Sequence, residues 1–214
     1  MPVAEVEDEL RAGAADGAAL RRARRLEYAT LGYNLFEAVA SIGAGVAAGS
    51  TALLGFGVDS LIESTSGAAL LWRLQDRVGH ARRDRRALVL VGGSFLLLAA
   101  YVANESAESL LRREPPEASA VGIAIAVLSL LVMPWLARQK RKAAAQIGSR
   151  ALHADSRQTS LCAYLSAILL GGLALNAGLG WWWADPVAAL VMVPIIAHEG
   201  VEALRGERCD DCGH

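Results

Sequence analysis

The sequence has few of the residues that stabilise small secreted domains. It contains three cysteines among 214 residues, too few for a disulfide framework. The first 28 residues are rich in Ala, Glu and Arg and contain no apolar run, so we expect no cleavable signal peptide. No nucleophile–base pair and no nucleotide-binding loop is visible. We therefore expect neither enzymatic activity nor a resident cofactor.

Apolar residues are abundant instead, and they occur in blocks. They make up 54% of the chain, whose mean hydropathy is +0.33. An α-helix needs about 20 mostly apolar residues to cross the ~30 Å hydrocarbon core of a bilayer. Six blocks come close to that length, which predicts an all-α polytopic membrane protein with six transmembrane helices and no C-terminal soluble domain. The blocks are 29–49, 51–72, 87–104, 120–137, 158–178 and 182–197.

Positive charge is distributed asymmetrically between the connections of these blocks. Nineteen Lys and Arg residues lie on one predicted side and two, Arg112 and Arg113, on the other. Basic residues are enriched in cytoplasmic loops, which predicts that both termini are cytoplasmic. We expect an integral, multi-pass protein of the plasma (inner) membrane. The basic clusters flank apolar spans, so we expect no nucleic-acid partner. The predicted segments are a cytoplasmic N-terminal segment (1–25), a transmembrane domain (26–204) and a cytoplasmic tail (205–214).

Two carboxylates lie inside the second apolar block. Asp59 and Glu63 are four residues apart, so a helix presents both on one face. An ionisable residue at the centre of a membrane helix costs about 2.5–3.5 kcal/mol to insert. Two close carboxylates also repel each other, so an empty site favours a shared proton and a dication relieves the repulsion. The pair predicts a site for a cation or a proton, with neutralisation by an Arg of another helix as the alternative.

A second pair with the same spacing begins the fifth block. Gln158 and Cys162 also share one helix face. A thiolate is a soft ligand suited to Zn²⁺, and a Gln carbonyl is a weak, hard one. The alternative is that Cys162 is a small apolar core residue, the commoner role of a membrane cysteine.

Three motifs resemble the cation diffusion facilitator family, in the order and spacing of that family. They are GSTALLGFGVDSLIE (49–63), ALHAD (151–155) followed by Gln158-x-x-x-Cys162, and WADPVAAL (183–190). The resemblance covers the membrane portion, about residues 25 to 205. It implies a six-helix transporter of divalent metals, often Zn²⁺, that exports by proton exchange and is usually dimeric.

The resemblance also implies a metal site shared between two helices. Carried over to this sequence, its ligands are Asp59, Glu63, Gln158 and Cys162. The family usually has His and Asp on the fifth helix where this chain has Gln and Cys. Many members also have a cytoplasmic C-terminal domain, for which we find no counterpart. The leading hypothesis is proton-coupled Zn²⁺ efflux by a possible homodimer, and the alternative is a membrane metal-binding or partner-regulating protein that does not transport.

Two further pairs of polar residues can each be interpreted in two ways. Asn34 and Glu37 share a face of the first helix and either line the same cavity or pair with a basic residue. His153 and Asp155 could bind metal at the cytoplasmic entrance, but we favour a role for Asp155 at the positive end of the fifth helix. The 138–157 segment is predicted to be the longest cytoplasmic connection.

The tail is a further candidate metal site. Cys209, Cys212 and His214 place two thiols and an imidazole within six residues, a set that can bind Zn²⁺ or Cu⁺ if a fourth ligand is supplied. The alternative is an unstructured end with two reduced thiols.

Overall fold

The computed structural model describes residues 3–75, 81–113 and 116–205. These residues form six α-helices and contain no β-strand. The prediction of an all-α, six-helix fold is therefore confirmed. The helices are α1 (Val3–Ala48), α2 (Thr51–Gln75), α3 (Ala81–Arg112), α4 (Ala120–Ile147), α5 (Arg150–Leu179) and α6 (Ala184–Arg205).

Four of these helices are long and apolar enough to cross a bilayer. The spans are Gly17–Ala48, Ala120–Ile147, Asp155–Leu179 and Ala184–Arg205. Helices α2 and α3 are long enough to cross a bilayer, but their described residues are not among the four spans that are also sufficiently apolar. In α2 the buried polar residues Asp59, Ser60 and Glu63 lower the hydropathy. Large apolar side chains such as Phe36 and Trp135 point out of the bundle, as expected for an integral membrane protein whose surface is covered by lipid.

Two of the helix connections are tight turns closed by glycine. Gly49 and Gly148 have φ angles of 64° and 61°, in the left-handed region that glycine adopts without steric cost. The Gly49-Ser50 turn joins α1 to α2, as the Gly-Ser pair at the junction of the first and second apolar blocks indicates. The predicted long connection over 138–157 is wrong, because α4 continues to Ile147 and α5 begins at Arg150. Apolar blocks mark only the part of a helix that lipid surrounds, and charged turns extend beyond them.

The helices pack around a core in which α2 occupies a central position. Helix α2 contacts α1, α3, α5 and α6, while α4 pairs with α5 and α3 pairs with α6. Phe56, Phe95, Met133, Leu169 and Met192 are among the apolar side chains that fill the space between these helices. The two acids of α2 therefore lie inside the bundle, away from lipid.

The α3–α6 contact brings two backbones together. A Cβ atom placed on Gly92 would lie 2.7 Å from the Gly200 carbonyl oxygen, and one placed on Gly200 would lie 3.0 Å from the Gly92 carbonyl oxygen. Only glycine fits at both positions without displacing a helix. Close approach at small residues is a common way to associate helices in lipid.

Asp185 fixes the start of α2 against α6. It lies in the first turn of α6, and its carboxylate accepts hydrogen bonds from Ser50 Oγ at 2.6 Å and from the Ala52 backbone N–H at 3.4 Å. Ser50 Oγ in turn accepts from the Leu53 N–H, which caps α2. The buried side chain of Asp185 thus joins two helix N-termini, which sets the position of α2 and its acids.

Candidate metal site

The structure buries both acids of α2 in the bundle interior. Asp59 and Glu63 are 6% and 3% exposed. Glu63 Oε1 accepts a hydrogen bond from Thr159 Oγ1 of α5 at 3.1 Å. Glu63 Oε2 is buried and has no hydrogen-bond partner among the described residues. One oxygen of Glu63 is therefore oriented by α5 while the other is available to a ligand.

The α5 pair faces the same region. Gln158 and Cys162 are both buried. In the sequence they flank Thr159, the residue that donates to Glu63. The Cys162 thiol donates to Glu37 Oε2 of α1 at a distance of 3.8 Å. The structure thus buries all four residues that the resemblance implied, and α5 contacts Glu63 through Thr159 and Glu37 through Cys162. Their role as ligands remains a prediction.

Glu37 belongs to this region as well. Its carboxylate is fully buried, and Oε2 accepts a hydrogen bond from Ser60 Oγ of α2 at 2.7 Å. Among the described residues, Glu37 forms hydrogen bonds with Ser60 and Cys162 and no ion pair with a basic residue. That Asn34 and Glu37 line a cavity stays a prediction. The contact of Glu37 with Ser60, the neighbour of Asp59, was not predicted from the sequence.

The charges in this region are predominantly negative. Asp59 lies close enough to Glu37, Glu63 and Glu199 to be repelled electrostatically by all three. Glu199 of α6 is half-buried, whereas the neighbouring His198 is exposed. A divalent cation would relieve this repulsion, and two protons would do the same.

A buried ion-pair triad lies beside the site and was not predicted. The ammonium group of Lys140 (α4) contacts Asp155 of α5 at 2.5 Å and both carboxylate oxygens of Glu27 (α1) at 3.2 Å. It also donates to Thr159 Oγ1 at 3.3 Å. Because Thr159 bonds Glu63, a continuous set of polar contacts joins the triad to the α2 acids.

The favoured role of Asp155 at the start of α5 is therefore wrong. Ser149 caps this helix, because its hydroxyl accepts from the Leu152 N–H at 3.2 Å. Asp155 lies one and a half turns inside the helix and binds Lys140. His153 is exposed whereas Asp155 is buried, so their side chains do not converge on one site. No sequence signal pointed to the triad, because Lys140 lies just beyond the fourth apolar block.

The candidate ligands are not arranged closely enough to bind a metal ion in the described residues. Within residues 3–75, 81–113 and 116–205, no three Cys, His, Asp or Glu side chains are close enough together to hold a metal ion as they stand. The side chains named above would have to approach one another around a cation. The predicted tail site of Cys209, Cys212 and His214 lies outside the described residues.

Comparison with known proteins identifies similar sequences. A family model described as the cation efflux transmembrane domain matches residues 28–207. An uncharacterised transporter of Synechocystis is 26% identical over 194 residues, which are 86% of this chain and 63% of that protein. The cation-efflux pump FieF of Shewanella oneidensis is 28% identical over 131 residues, or 59% of this chain and 42% of the pump. Transmembrane protein 163 of Xenopus laevis is 24% identical over 187 residues, which are 86% of this chain and 66% of that protein. The chain therefore spans between 42% and 66% of the length of these relatives.

Proposed function

This chain belongs to the cation efflux family, and on that premise we propose that it is a secondary active transporter of divalent metal cations. The observation that supports the proposal most strongly is the buried set of acids and a thiol where α1, α2 and α5 meet. Among the residues that the structure describes, Glu63 Oε2 has no hydrogen-bond partner, and Cys162 donates to Glu37. Carboxylates and a thiolate together suit Zn²⁺ and chemically similar ions.

Exchange against protons follows from the chemistry of the same groups. Neighbouring carboxylates and a thiol hold protons when no metal is present, and a dication displaces those protons when it binds. Export from the cytoplasm is the direction that the family description, cation efflux, suggests. We further propose that both termini are cytoplasmic, as the positive-inside rule predicts. One subunit would carry one complete site, and a homodimer would contain two.

A flux assay tests this proposal. The purified protein is reconstituted in vesicles with an acidic lumen, and uptake of Zn²⁺, Cd²⁺, Co²⁺, Mn²⁺ or Fe²⁺ is followed with a metal-sensitive dye in the lumen. We expect uptake that falls when an ionophore dissipates the pH gradient. Asp59→Asn should abolish uptake, whereas Glu117→Gln should not, because Glu117 is an exposed acid in the connection between α3 and α4. Absence of flux for all five metals would contradict the proposal.

A second candidate function is metal binding without transport. Two observations favour it: Gln158 stands where the family usually has a stronger ligand, and no three acidic, Cys or His side chains of the described residues form a ready site. This candidate predicts stoichiometric metal binding by the purified protein and no uptake into vesicles. The same preparation can be divided between the two measurements, so the two functions are separated directly.

A further inference from the structure

Glu37 of α1 occupies a position between the two halves of the proposed site. Its Oε2 accepts from Ser60 Oγ, next to Asp59 on α2, and from Cys162 Sγ on α5. The hydroxyl groups of Tyr33 and Ser129 lie beside the same carboxylate. Glu37 is therefore in contact with one residue of the α5 half-site and with the immediate neighbour of an α2 acid.

This carboxylate has no cation to neutralise it within the part of the chain that the structure describes. Its neighbours are hydroxyl groups and a thiol, and among the described residues no hydrogen bond of good geometry reaches Oε1. Glu27, further toward the N-terminus of the same helix, provides the contrast, because Lys140 binds both of its oxygens. A buried carboxylate without a cation is costly and calls for an explanation.

Asn34 repeats the pattern one helical turn earlier. It is 1% exposed, and neither its amide oxygen nor its amide nitrogen has a hydrogen-bond partner among the described residues. Residues three apart share a helix face, so its side chain and that of Glu37 project from the same side of α1. Glu63 Oε2 on α2 likewise has no hydrogen-bond partner in the described ranges. Three buried polar groups on two helices thus retain unused ligand capacity.

We propose that α1 supplies two ligands, the Glu37 carboxylate and the Asn34 amide oxygen, to the transported cation, which makes the site a three-helix site. The inference rests on the proposed transport function. These hard oxygen ligands add to Asp59, Glu63 and Cys162, and they compensate for the weak ligand Gln158 on α5. The mixed oxygen and sulfur set selects a divalent transition metal over Ca²⁺ or Mg²⁺, which avoid thiolate.

A purely structural role makes a different prediction. In that case Glu37 would serve to fasten α1 to α2 through Ser60, and removal of the Ser60 hydroxyl would be as harmful as neutralisation of Glu37. A fastening role also gives no reason for the unpartnered Oε1 and for an Asn34 side chain with both polar atoms unsatisfied. A buried polar group without a partner destabilises the fold, so a purely structural role would not favour keeping it.

The experiment measures Co²⁺ binding to the purified full chain in detergent, followed by the visible absorption of the bound ion. All variants are made in a Cys209→Ser, Cys212→Ser background, which removes the tail thiols. We expect Glu37→Gln to raise the Kd for Co²⁺ by about tenfold or more, and Asn34→Ala to raise it by a smaller factor. Glu37→Asp should fall between wild type and Glu37→Gln, and Ser60→Ala, which removes only a hydrogen bond that orients Glu37, should raise the Kd by a smaller factor than Glu37→Gln. Thr65→Val, an exposed α2 residue away from the site, should stay within about threefold of wild type.

Other outcomes separate this inference from the proposed function. If Glu37→Gln and Asn34→Ala bind Co²⁺ like wild type while Asp59→Asn does not bind it, α1 supplies no ligand and the two-helix site stands. If Ser60→Ala weakens binding as much as Glu37→Gln, the structural role is correct and the inference is wrong. Should Glu37→Gln aggregate, Glu37→Asp and Asn34→Ala decide the question. Flux of wild type into vesicles tests the transport function independently of every binding result.

Discussion

The ammonium group of Lys140 on α4 lies 2.5 Å from a carboxylate oxygen of Asp155 on α5, and both side chains are buried. Glu27 of α1 completes the triad, so a single cation holds three helices together. A buried ion pair contributes little compared with a well-packed apolar substitute, but removal of one member leaves the others uncompensated. The triad is therefore a place where a single substitution has a large effect on the whole bundle.

Lys140→Met should destabilise the protein strongly. It leaves Glu27 and Asp155 buried without a cation, which costs about 3–5 kcal/mol. At about 2–4 °C per kcal/mol for a chain of this size, the Tm in detergent should fall by about 6–20 °C. Lys142→Met is the control, because Lys142 is exposed on the same helix and its loss should change stability by less than about 0.5 kcal/mol.

A compensated variant makes this prediction more specific. Adding Glu27→Gln and Asp155→Asn to Lys140→Met removes the two unpaired charges, so part of the lost Tm should return. If Lys140→Met and Lys142→Met unfold at the same temperature, the triad does not stabilise the bundle.

The contact between Gly92 and Gly200 allows a test with an adjacent control residue. Gly92→Ala places a methyl group 2.7 Å from the Gly200 carbonyl oxygen, so α3 and α6 must separate. We expect a loss of about 1–3 kcal/mol, the usual range for overpacking. Gly93→Ala meets nothing within 4 Å and should gain up to about 1 kcal/mol from helix propensity. Thermal unfolding of both variants measures the difference, and equal Tm values would show that the close approach is not required.

Much of the fold was predictable from the sequence because lipid imposes simple rules. Apolar blocks identify the helices, and a Gly-Ser pair between two blocks predicts the tight turn at Gly49. Three motifs sufficed to recognise the family, which the match over residues 28–207 confirms. The i,i+4 spacing of Asp59 with Glu63 and of Gln158 with Cys162 put each pair on one face, and the structure directs both faces inward.

The contacts of Lys140 could not be predicted in the same way. Hydropathy assigned this residue to a loop, because charged residues end an apolar block even where the helix continues. Its partner Glu27 is 113 residues away in the chain, and only the packing of α1 against α4 brings the two together. For the same reason Asp155 was interpreted from its position near a helix start, although a buried ammonium group is its actual partner.

Thr159 should support the site without binding metal itself. It donates to Glu63 Oε1, and a residue that orients a ligand in this way typically contributes 10–100-fold to metal affinity. Thr159→Val keeps the shape of the side chain but removes the hydrogen bond, so the Kd for Co²⁺ should rise by about tenfold or more. Thr65→Val is the matched control, since Thr65 is exposed and bonds only the Ile62 carbonyl of its own helix. Unchanged affinity in Thr159→Val would mean that Glu63 needs no support from α5.

Cys162 should determine the preference of the site for soft metals. It is the ligand candidate that contains sulfur, and thiolate favours Cd²⁺ and Zn²⁺ over Mn²⁺. Cys162→Ser retains a group that can donate to Glu37 but lacks the soft ligand, so flux of Cd²⁺ should fall by about tenfold or more relative to flux of Mn²⁺ in the same vesicles. The Cys209→Ser, Cys212→Ser variant, which keeps Cys162, should have the wild-type ratio. If Cys162→Ser lowers the flux of both metals by the same factor, the thiol contributes to packing and does not select the cation.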